Sequence, residues 1–476
     1  MTRQQTSDEL SSTLRKLPSI HELLATAKLV ESAERSGRER TREAARHTLG
    51  RLRDQMRRGE LEDVSDNLEE LADEVINLLD ERRLLEIRSV INATGIILHT
   101  GLGRAPLAQE AIEAIRQAAG YCNVEIDLAS GDRSQRIKSV EADLRALCGA
   151  EAAHVVNNNA GATGLVLAEF AIGREVIVSH GELIEIGDGF RLPEVFQAYG
   201  ARLRAVGTTN RTRLEDYEGA ISGETGALMV IHASNYRVVG YTEQPDLKEI
   251  VELGKAHDIP VIHDIGSGAL VDMATGSSNP DPIARDSVRK GSDLVLFSGD
   301  KLLGGPQCGV IVGKEALIRR LARHPMSRAL RVDKLTLAAL QATLAIYQRA
   351  ESDHHELESI PFLRLLRTPV EQLQQRATRL VNRLSAALPD WNVMAVESVS
   401  YAGGGSLPGN ELPSRAIALR HTDIDPAALA RRLRMGQPTI IGRVHEGRLL
   451  LDLRCVMPNE DEQLVAAVNQ ARCDWL

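Results

Sequence analysis

The sequence predicts an α/β protein with a large domain built on a mainly parallel β-sheet, a small C-terminal α/β domain and a helical N-terminal domain. From about residue 92, short β-branched segments alternate with amphipathic ones, as in "DLKEIVELGKAHDIPVIHDIGSG". This alternation is typical of a parallel sheet covered by helices on both faces. The 476 residues are also too many for one ordinary core. We therefore predict a helical N-terminal domain (1–76), a helical linker (77–94), a large domain (95–345) and a small C-terminal domain (346–476).

The composition excludes several classes of protein. Hydrophobic residues make up 43% and charged residues 26% of the chain, as in an ordinary globular protein. Aromatic residues are only 3%, which disfavours RNA-binding modules that stack bases on exposed Phe and Tyr. The net charge of −9 means that any contact with nucleic acid must be local.

The cysteines and the N-terminus indicate a reduced, soluble protein. The five cysteines lie far apart and form no C-x-x-C pair, so neither a disulfide framework nor a metal site is predicted. The N-terminus lacks an apolar signal segment, and no window approaches 18 uninterrupted apolar residues. We expect a cytoplasmic protein without a membrane anchor.

The first ninety residues divide into a basic and an acidic half. The basic half contains Arg35, Arg38, Arg40, Arg42, Arg46, Arg51, Arg53, Arg57 and Arg58. In the acidic half, apolar residues recur at helical spacing at Leu61, Val64, Leu68, Leu71, Val75 and Leu78. The arginines fit a solvated helix with i, i+4 ion pairs. The alternative is a face that contacts the phosphates of a folded RNA.

Three strand ends in the large domain carry polar residues, and ligands bind at such ends in parallel sheets. The segment "NNNAGATG" (157–164) follows the strand "AHVV" and opens a helix, so its N–H groups can hold a phosphate. Asp264 ends a buried strand, where an ionised carboxylate needs a cation or several hydrogen bonds. Ser298 and Lys301 end another apolar strand, in "DLVLFSGDK".

A phosphate loop, an aspartate and a lysine, in this order, predict a pyridoxal-phosphate enzyme of fold type I, the aspartate-aminotransferase-like class. Lys301 forms a Schiff base in such a site, Asp264 keeps the pyridinium nitrogen protonated, and the loop and a hydroxyl hold the phosphate. Burial lowers the pKa of a lysine and frees its amine for this chemistry. The alternative for Lys301 is a structural ion pair with Asp300.

The C-terminal part of the chain predicts helices followed by strands. "TPVEQLQQRATRLVNRLSAAL" has helical periodicity, and the "HEG" turn inside "GRVHEGRLLLDL" predicts a hairpin. We interpret "YAGGGSLPG" (401–409) as a loop, because a glycine cluster alone does not indicate a site.

Longer motifs resemble bacterial L-seryl-tRNA(Sec) selenium transferases, the selenocysteine synthases. They are "INATGIILHTGLGRAPL" (91–107), "GTTNRTRLEDY" (207–217), "HASNY" (232–236), "DIGSGALVD" (264–272), "FSGDKLLGGPQCGVIVGK" (297–314) and "HPMSRALRVDKLTLAAL" (324–340). The resemblance covers nearly the whole chain, including the N-terminal helices. Shorter pyridoxal-phosphate lyases that act on small sugar acids share the core but usually lack these helices, which favours the tRNA enzyme.

The resemblance implies roles for individual residues around the cofactor. Lys301 would carry pyridoxal phosphate and Asp264 would contact its pyridinium nitrogen. Ser298 and the loop residues Asn158, Asn159 and Ala160 would lie near its phosphate. Asp300 matches a catalytic position beside the lysine. His180 stands where the family commonly has Arg, and Asp188 where a second Gly is usual. A ring stacked on the cofactor is one interpretation of His180, and a local hydrogen bond is the other.

Arg104, Arg328 and Arg331 match positions at which the family holds the selenium donor, selenophosphate. Guanidinium groups suit phosphate oxygens because their planar forks donate two hydrogen bonds. Without the resemblance, Arg328 and Arg331 would be interpreted as a pair on a helix surface.

The implied reaction converts L-seryl-tRNA(Sec) to L-selenocysteinyl-tRNA(Sec). It proceeds through elimination of the β-hydroxyl to an aminoacrylyl-tRNA and addition of selenium. The N-terminal domain would bind the tRNA, and the family assembles as a homodecamer of five dimers. The alternatives are a pyridoxal-phosphate lyase for a small amino acid or amino-sugar acid, and an RNA-binding protein without catalysis.

Overall fold

The computed structural model describes residues 17–58, 67–84, 87–187, 189–273 and 281–473. The chain divides into two compact units, Met1–Ser89 and Val90–Leu476. The domain boundaries given above remain predictions. The linker, however, is not helical up to residue 94, because a helix ends at Leu84 and Val90–Asn92 form a strand.

The first unit contains four described helices, α1 (Ile20–Leu24), α2 (Ala27–Ser36), α3 (Arg38–Arg57) and α4 (Leu68–Leu84). Their apolar faces form one buried cluster that includes Leu23, Leu29, Ala44, Ala45, Leu49, Leu52, Leu71 and Val75. The arginine-rich segment is therefore helical, as its periodicity predicts, and α3 turns small and apolar side chains inward.

The second unit contains fifteen strands in the described residues. They are β1 (Val90–Asn92), β2 (Ala152–Val156), β3 (Glu175–Ser179), β4 (Glu185–Ile186), β5 (Phe190–Arg191), β6 (Arg202–Val206), β7 (Thr225–Ile231), β8 (Val261–Gly266), β9 (Leu294–Ser298), β10 (Gly309–Gly313), β11 (Asn392–Ser400), β12 (Leu412–Arg420), β13 (Thr439–Ile441), β14 (Arg443–His445) and β15 (Arg448–Asp452).

Helices connect these strands along the chain. They are α5 (Gln109–Ala118), α6 (Lys138–Cys148), α7 (Asn159–Phe170), α8 (Leu192–Ala198), α9 (Leu214–Glu218), α10 (Leu247–Ala256), α11 (Ala284–Arg289), α12 (Glu315–Arg323), α13 (Pro325–Ala329), α14 (Lys334–Ala350), α15 (Pro361–Arg367), α16 (Val370–Ala387), α17 (Pro426–Met435) and α18 (Asp461–Cys473).

The large sheet has seven strands in the order β2-β10-β9-β8-β7-β3-β6. Strands β6, β3, β7, β8 and β9 pair in parallel, and β10 runs antiparallel to both of its neighbours. All five residues are buried in each of β2, β9 and β10, which explains why these segments are continuously apolar in the sequence. The predicted parallel sheet is confirmed, with β10 as the inserted antiparallel strand.

The sheet brings the three predicted strand ends to one edge. The loop after β2 leads into α7, whose N-cap Asn158 accepts a hydrogen bond from the Gly161 N–H at 2.7 Å. Gly309, at the start of β10, makes room for this loop, because a Cβ there would lie 2.2 Å from the Asn158 carbonyl oxygen. Asp264 lies in β8, and Lys301 follows β9 by three residues.

The C-terminal part forms an antiparallel sheet in the order β11-β12-β15-β14. The predicted hairpin is confirmed, since β14 pairs with β15 around Glu446 and Gly447, which both have positive φ. β1 pairs in parallel with β13 and so joins the start of this unit to its end. In the described part of the chain, no helix is long and apolar enough to span a membrane.

Candidate active site

A cavity of about 390 Å³ opens where β2, β8 and β9 end, and this volume is within the usual range of ligand pockets. Most of the residues predicted from the sequence line it: Arg104, Asn158, Asn159, Ala160, Asp264, Ser298, Asp300 and Lys301. Apolar walls come from Ile184, Leu192 and Ile231. The fold therefore assembles parts of the chain that are up to about two hundred positions apart.

Lys301 is buried, with 6% of its surface exposed. Its amine has no hydrogen bond or ion pair to any residue that the structure describes. Burial, and then the charge of Arg104, lower the pKa of this amine. A lysine in this state is prepared for Schiff-base chemistry and for proton transfer.

Asp300 pairs with Arg104 instead of with the lysine. One guanidinium nitrogen of Arg104 contacts both carboxylate oxygens, at 3.0 and 3.2 Å. The Ser298 hydroxyl donates a third hydrogen bond to this carboxylate at 2.6 Å. The ion pair between Lys301 and Asp300 that the sequence left as an alternative is therefore not formed.

Asp264 is held by three donors. The Asn159 amide donates to one carboxylate oxygen at 2.9 Å, the Thr163 hydroxyl donates to the other at 2.9 Å, and the Gly266 N–H donates at 3.1 Å. Burial raises the pKa of this carboxyl in spite of these contacts. The sequence reasoning missed Thr163, although it follows Asn159 by four residues and so lies on the same face of α7.

These residues fit pyridoxal phosphate. The site offers a buried amine without a partner among the described residues, a buried acid for the ring nitrogen, and the N-terminus of α7 for a phosphate. The Asn159 Oδ1 atom is also buried without a hydrogen-bond partner in the described structure, so an acceptor there is left for a bound molecule.

Three predicted site residues do not line the cavity. His180 is exposed in a short turn after β3, and Asp188, in the same loop, lies outside the described residues. Arg328, on α13, and Arg331 are exposed, and Arg331 pairs with Glu125 at 3.4 Å. The Arg331 backbone nevertheless bridges to the last residue of β2, beside the phosphate loop.

Gln307 and Cys308 follow the lysine and differ in their surroundings. Gln307 lines the cavity. Cys308 is fully buried, and burial raises the pKa of its thiol to about 12. A thiol in this state is not a nucleophile, so Cys308 contributes to the core.

The fold and the cavity define an enzyme of the pyridoxal-phosphate-dependent class with fold type I, the aspartate-aminotransferase-like architecture. A solved structure described as D-glucosaminate-6-phosphate ammonia-lyase shares this fold, with a TM-score of 0.56 and 19% identity over 82% of this chain and 97% of that chain.

Comparison of the sequence identifies the family. A family model described as L-seryl-tRNA selenium transferase matches residues 90–457, and one described as selenocysteine synthase N terminal matches residues 14–53. The chain therefore belongs to the L-seryl-tRNA selenium transferase family. An L-seryl-tRNA(Sec) selenium transferase from Hyphomonas neptunium is 43% identical over 97% of this chain and 99% of the relative. The corresponding protein from Moorella thermoacetica is 45% identical over 84% of this chain and 85% of the relative.

Proposed function

We propose that this protein converts L-seryl-tRNA(Sec) to L-selenocysteinyl-tRNA(Sec) with selenophosphate as the selenium donor. The observation that carries the proposal is the buried Lys301, which has no partner in the described parts of the chain, in a cavity with Asp264 and in a chain of this family. Of the arginines predicted to hold the donor, Arg104 lines the cavity. The roles of Arg328 and Arg331 toward the donor, and of His180 toward the cofactor, stay predictions.

Pyridoxal phosphate bound through Lys301 supplies the electron sink that makes loss of the seryl α-proton and β-hydroxyl feasible. The chain would do the remaining work. Lys301 Nζ takes the α-proton, because its lowered pKa leaves the amine neutral more readily. The Asp264 carboxylate would hold the protonated ring nitrogen of the cofactor, and Asn159 and Thr163 fix the orientation of this carboxylate.

Arg104 and Asp300 form the polar wall of the cavity. Arg104 brings a positive charge close to the lysine amine, where an anionic donor would arrive. Asp300 holds this guanidinium in place and is itself fixed by Ser298. The apolar residues Ile184, Leu192 and Ile231 would help to exclude water from the reacting group.

The decisive test is to incubate the purified full-length protein with seryl-tRNA(Sec) and selenophosphate and to identify the released aminoacyl group. Selenocysteine is expected. Serine recovered unchanged, with the cofactor bound, would favour the lyase alternative. Lys301→Ala should abolish the visible absorbance of lysine-bound cofactor, and a wild-type protein without this absorbance would contradict the enzyme assignment.

The tRNA is proposed to contact the N-terminal unit through α3. Arg38, Arg46 and Arg53 form no ion pair with the described residues, whereas Arg51 pairs with Glu74 at 2.7 Å. At 3.6 residues per turn, the three arginines fall within an arc of about 80° on α3, and Arg51 lies about 140° from it. Arg42 and Arg57 form ion pairs within α3, but at i, i+3 spacing and not at the i, i+4 spacing of the solvated-helix interpretation.

Charge removal on this face tests the tRNA contact. Replacing Arg38, Arg46 and Arg53 with Gln should weaken seryl-tRNA(Sec) binding and reduce the slope of log affinity against log salt by about 2 to 3. The control is Arg51→Gln on the opposite face, compared with Arg38→Gln, Arg46→Gln and Arg53→Gln made singly, so that each variant removes one charge. An equal loss of affinity in Arg51→Gln and in the three single variants would contradict a contact on this face, and an unchanged cofactor spectrum would show that the catalytic unit is intact.

We also propose that the protein is cytoplasmic and self-associates, up to the decamer that the resemblance implies. Large hydrophobic side chains with more than three quarters of their surface exposed support self-association: Ile87, Tyr121, Leu128, Val239 and Tyr241. Light scattering of the purified protein would give the mass, and a monomer would refute this part of the proposal.

A further inference from the structure

A glycine of the C-terminal part lies directly against the lysine amine. Gly405 has a φ of +82°, and a Cβ at this position would lie 2.6 Å from Lys301 Nζ and 3.1 Å from its Cε. The same Cβ would lie 3.7 Å from the hydroxyl of Ser234, which lines the cavity. The loop between β11 and β12 therefore reaches the lysine amine and the cavity-lining Ser234.

This loop is anchored by a buried carboxylate. Asp281, 6% exposed, accepts a hydrogen bond from the Leu407 N–H at 2.9 Å. Its other oxygen lies 3.3 Å from Nε2 of His232, a residue that lines the cavity. Asp281 is also one of the charged groups that act on the Lys301 amine, together with Arg104, Asp264 and Asp300.

We propose that residues 405–407 form a roof over Lys301, and that Asp281 is a positioning residue which holds this roof against the lysine amine. The proposal rests on the proposed assignment of Lys301 as the cofactor-binding lysine. The proposal adds residues 405–407, from the loop between β11 and β12, to the site around this lysine.

The physical reason lies in the position of the contact. Nonbonded heavy atoms are normally about 3.5–4.0 Å apart, so a methyl group at position 405 would displace the amine by about 1 Å. The end of the lysine side chain is more flexible than the backbone of the loop. The added methyl group would therefore shift the amine and leave the backbone in place. A reacting group that is displaced by about 1 Å can lose on the order of a hundredfold in rate.

The experiment compares three alanine variants of the full-length protein. Gly405→Ala adds a methyl group against the lysine. Gly404→Ala is the matched control in the same loop, because a Cβ there meets nothing within 4 Å. Gly447→Ala controls for backbone strain, because it has a φ of +69° and also meets nothing within 4 Å.

Each variant is titrated with pyridoxal phosphate, and the absorbance of the lysine-bound cofactor and the melting temperature are recorded. We expect Gly405→Ala to weaken cofactor affinity by about tenfold or more, with a melting temperature close to that of Gly447→Ala. Equal cofactor affinities in Gly405→Ala and Gly404→Ala would refute the proposal that residues 405–407 form a roof over Lys301. A wild-type protein that forms no lysine-bound cofactor would instead refute the assignment of Lys301.

Asp281 provides an independent test. Asp281→Ala removes the acceptor for the Leu407 N–H and should weaken cofactor affinity in the same direction as Gly405→Ala. Asp281→Asn keeps an oxygen that can accept this hydrogen bond, so it should retain more affinity than the alanine variant. If Asn and Ala at this position reduce cofactor affinity equally, the anchoring role of Asp281 is wrong.

Discussion

Thr163→Val removes the hydroxyl that holds Asp264 and leaves the shape of the side chain nearly unchanged. In the native protein this hydroxyl lies 2.9 Å from Asp264 Oδ2 and 3.0 Å from the Asn159 carbonyl oxygen. It has one proton to donate, and a carboxylate is the stronger acceptor. The substitution therefore acts mainly on the ionised form of Asp264.

The magnitude follows from the kind of hydrogen bond that is lost. A hydrogen bond to a charged group contributes about 1.5–3 kcal/mol, and Asp264 keeps its contacts with Asn159 and the Gly266 N–H. Burial already raises the pKa of Asp264, so the loss of a donor raises this pKa further. Because the ionised form stabilises the protonated ring of the cofactor, its affinity should fall by about tenfold to a hundredfold.

The assay is a titration of cofactor-free protein with pyridoxal phosphate at constant pH, followed by the absorbance of the lysine-bound cofactor. Thr163→Ser is the matched control, because it keeps the hydroxyl and loses only a methyl group. The serine variant should bind much like the native protein. If the valine and serine variants lose affinity equally, packing and not the hydrogen bond is responsible, and the reasoning about Asp264 is refuted.

Two further predictions concern charges. Arg104→Ala leaves the carboxylate of Asp300, which is 5% exposed, with Ser298 as its remaining side-chain donor. The free energy of unfolding should fall by up to about 3 kcal/mol. This value is at the lower end of the range for broken buried ion pairs, because the Arg104 side chain is 26% exposed. The melting temperature of Arg104→Ala should fall, and that of Arg104→Lys should stay close to the native value. An unchanged melting temperature in Arg104→Ala would contradict this prediction. Glu182 is buried and accepts a hydrogen bond from the Ile231 N–H at 3.0 Å, and burial raises its pKa from 4.5 to about 8. The folded state therefore binds this proton more tightly, and native stability falls as the pH rises from 4.5 to 8. Glu182→Gln keeps an acceptor but cannot ionise. Its melting temperature should therefore exceed that of the native protein by an amount that grows from pH 4.5 to pH 8. A difference that stays constant with pH would contradict the raised pKa of Glu182.

Much of the site could be predicted because each of its parts is a local pattern. The segment "NNNAGATG" follows an apolar run and opens a helix, and both features appear in consecutive residues. Asp264 and Lys301 could be located because each interrupts or ends a continuously apolar segment. Parallel strands place such ends at one edge, so chain order and local pattern together predicted the cavity.

The contacts between these parts could not be predicted in the same way. Asn159 was placed near a phosphate, but its amide donates to Asp264 from more than a hundred positions away. His232 follows β7 directly and Lys301 follows β9 by three residues, yet the approach of His232 to Asp281 depends on how two loops pack. The glycine cluster around position 405 was interpreted as a simple loop, since nothing in its own sequence indicates which residue it meets.

The sequence by itself therefore determined the sheet, the strand ends that carry the site, the cofactor class and the family. These depend on hydrophobic periodicity, on the order of motifs and on side-chain chemistry. Only the tertiary structure decided that Arg104 pairs with Asp300, 196 positions away, that Lys301 is left without a partner in the described chain, and that Gly405 lies against its amine. The reason is physical: pairing among buried polar groups is decided by which of them the packed core brings within hydrogen-bond distance, and separation along the chain does not encode that distance.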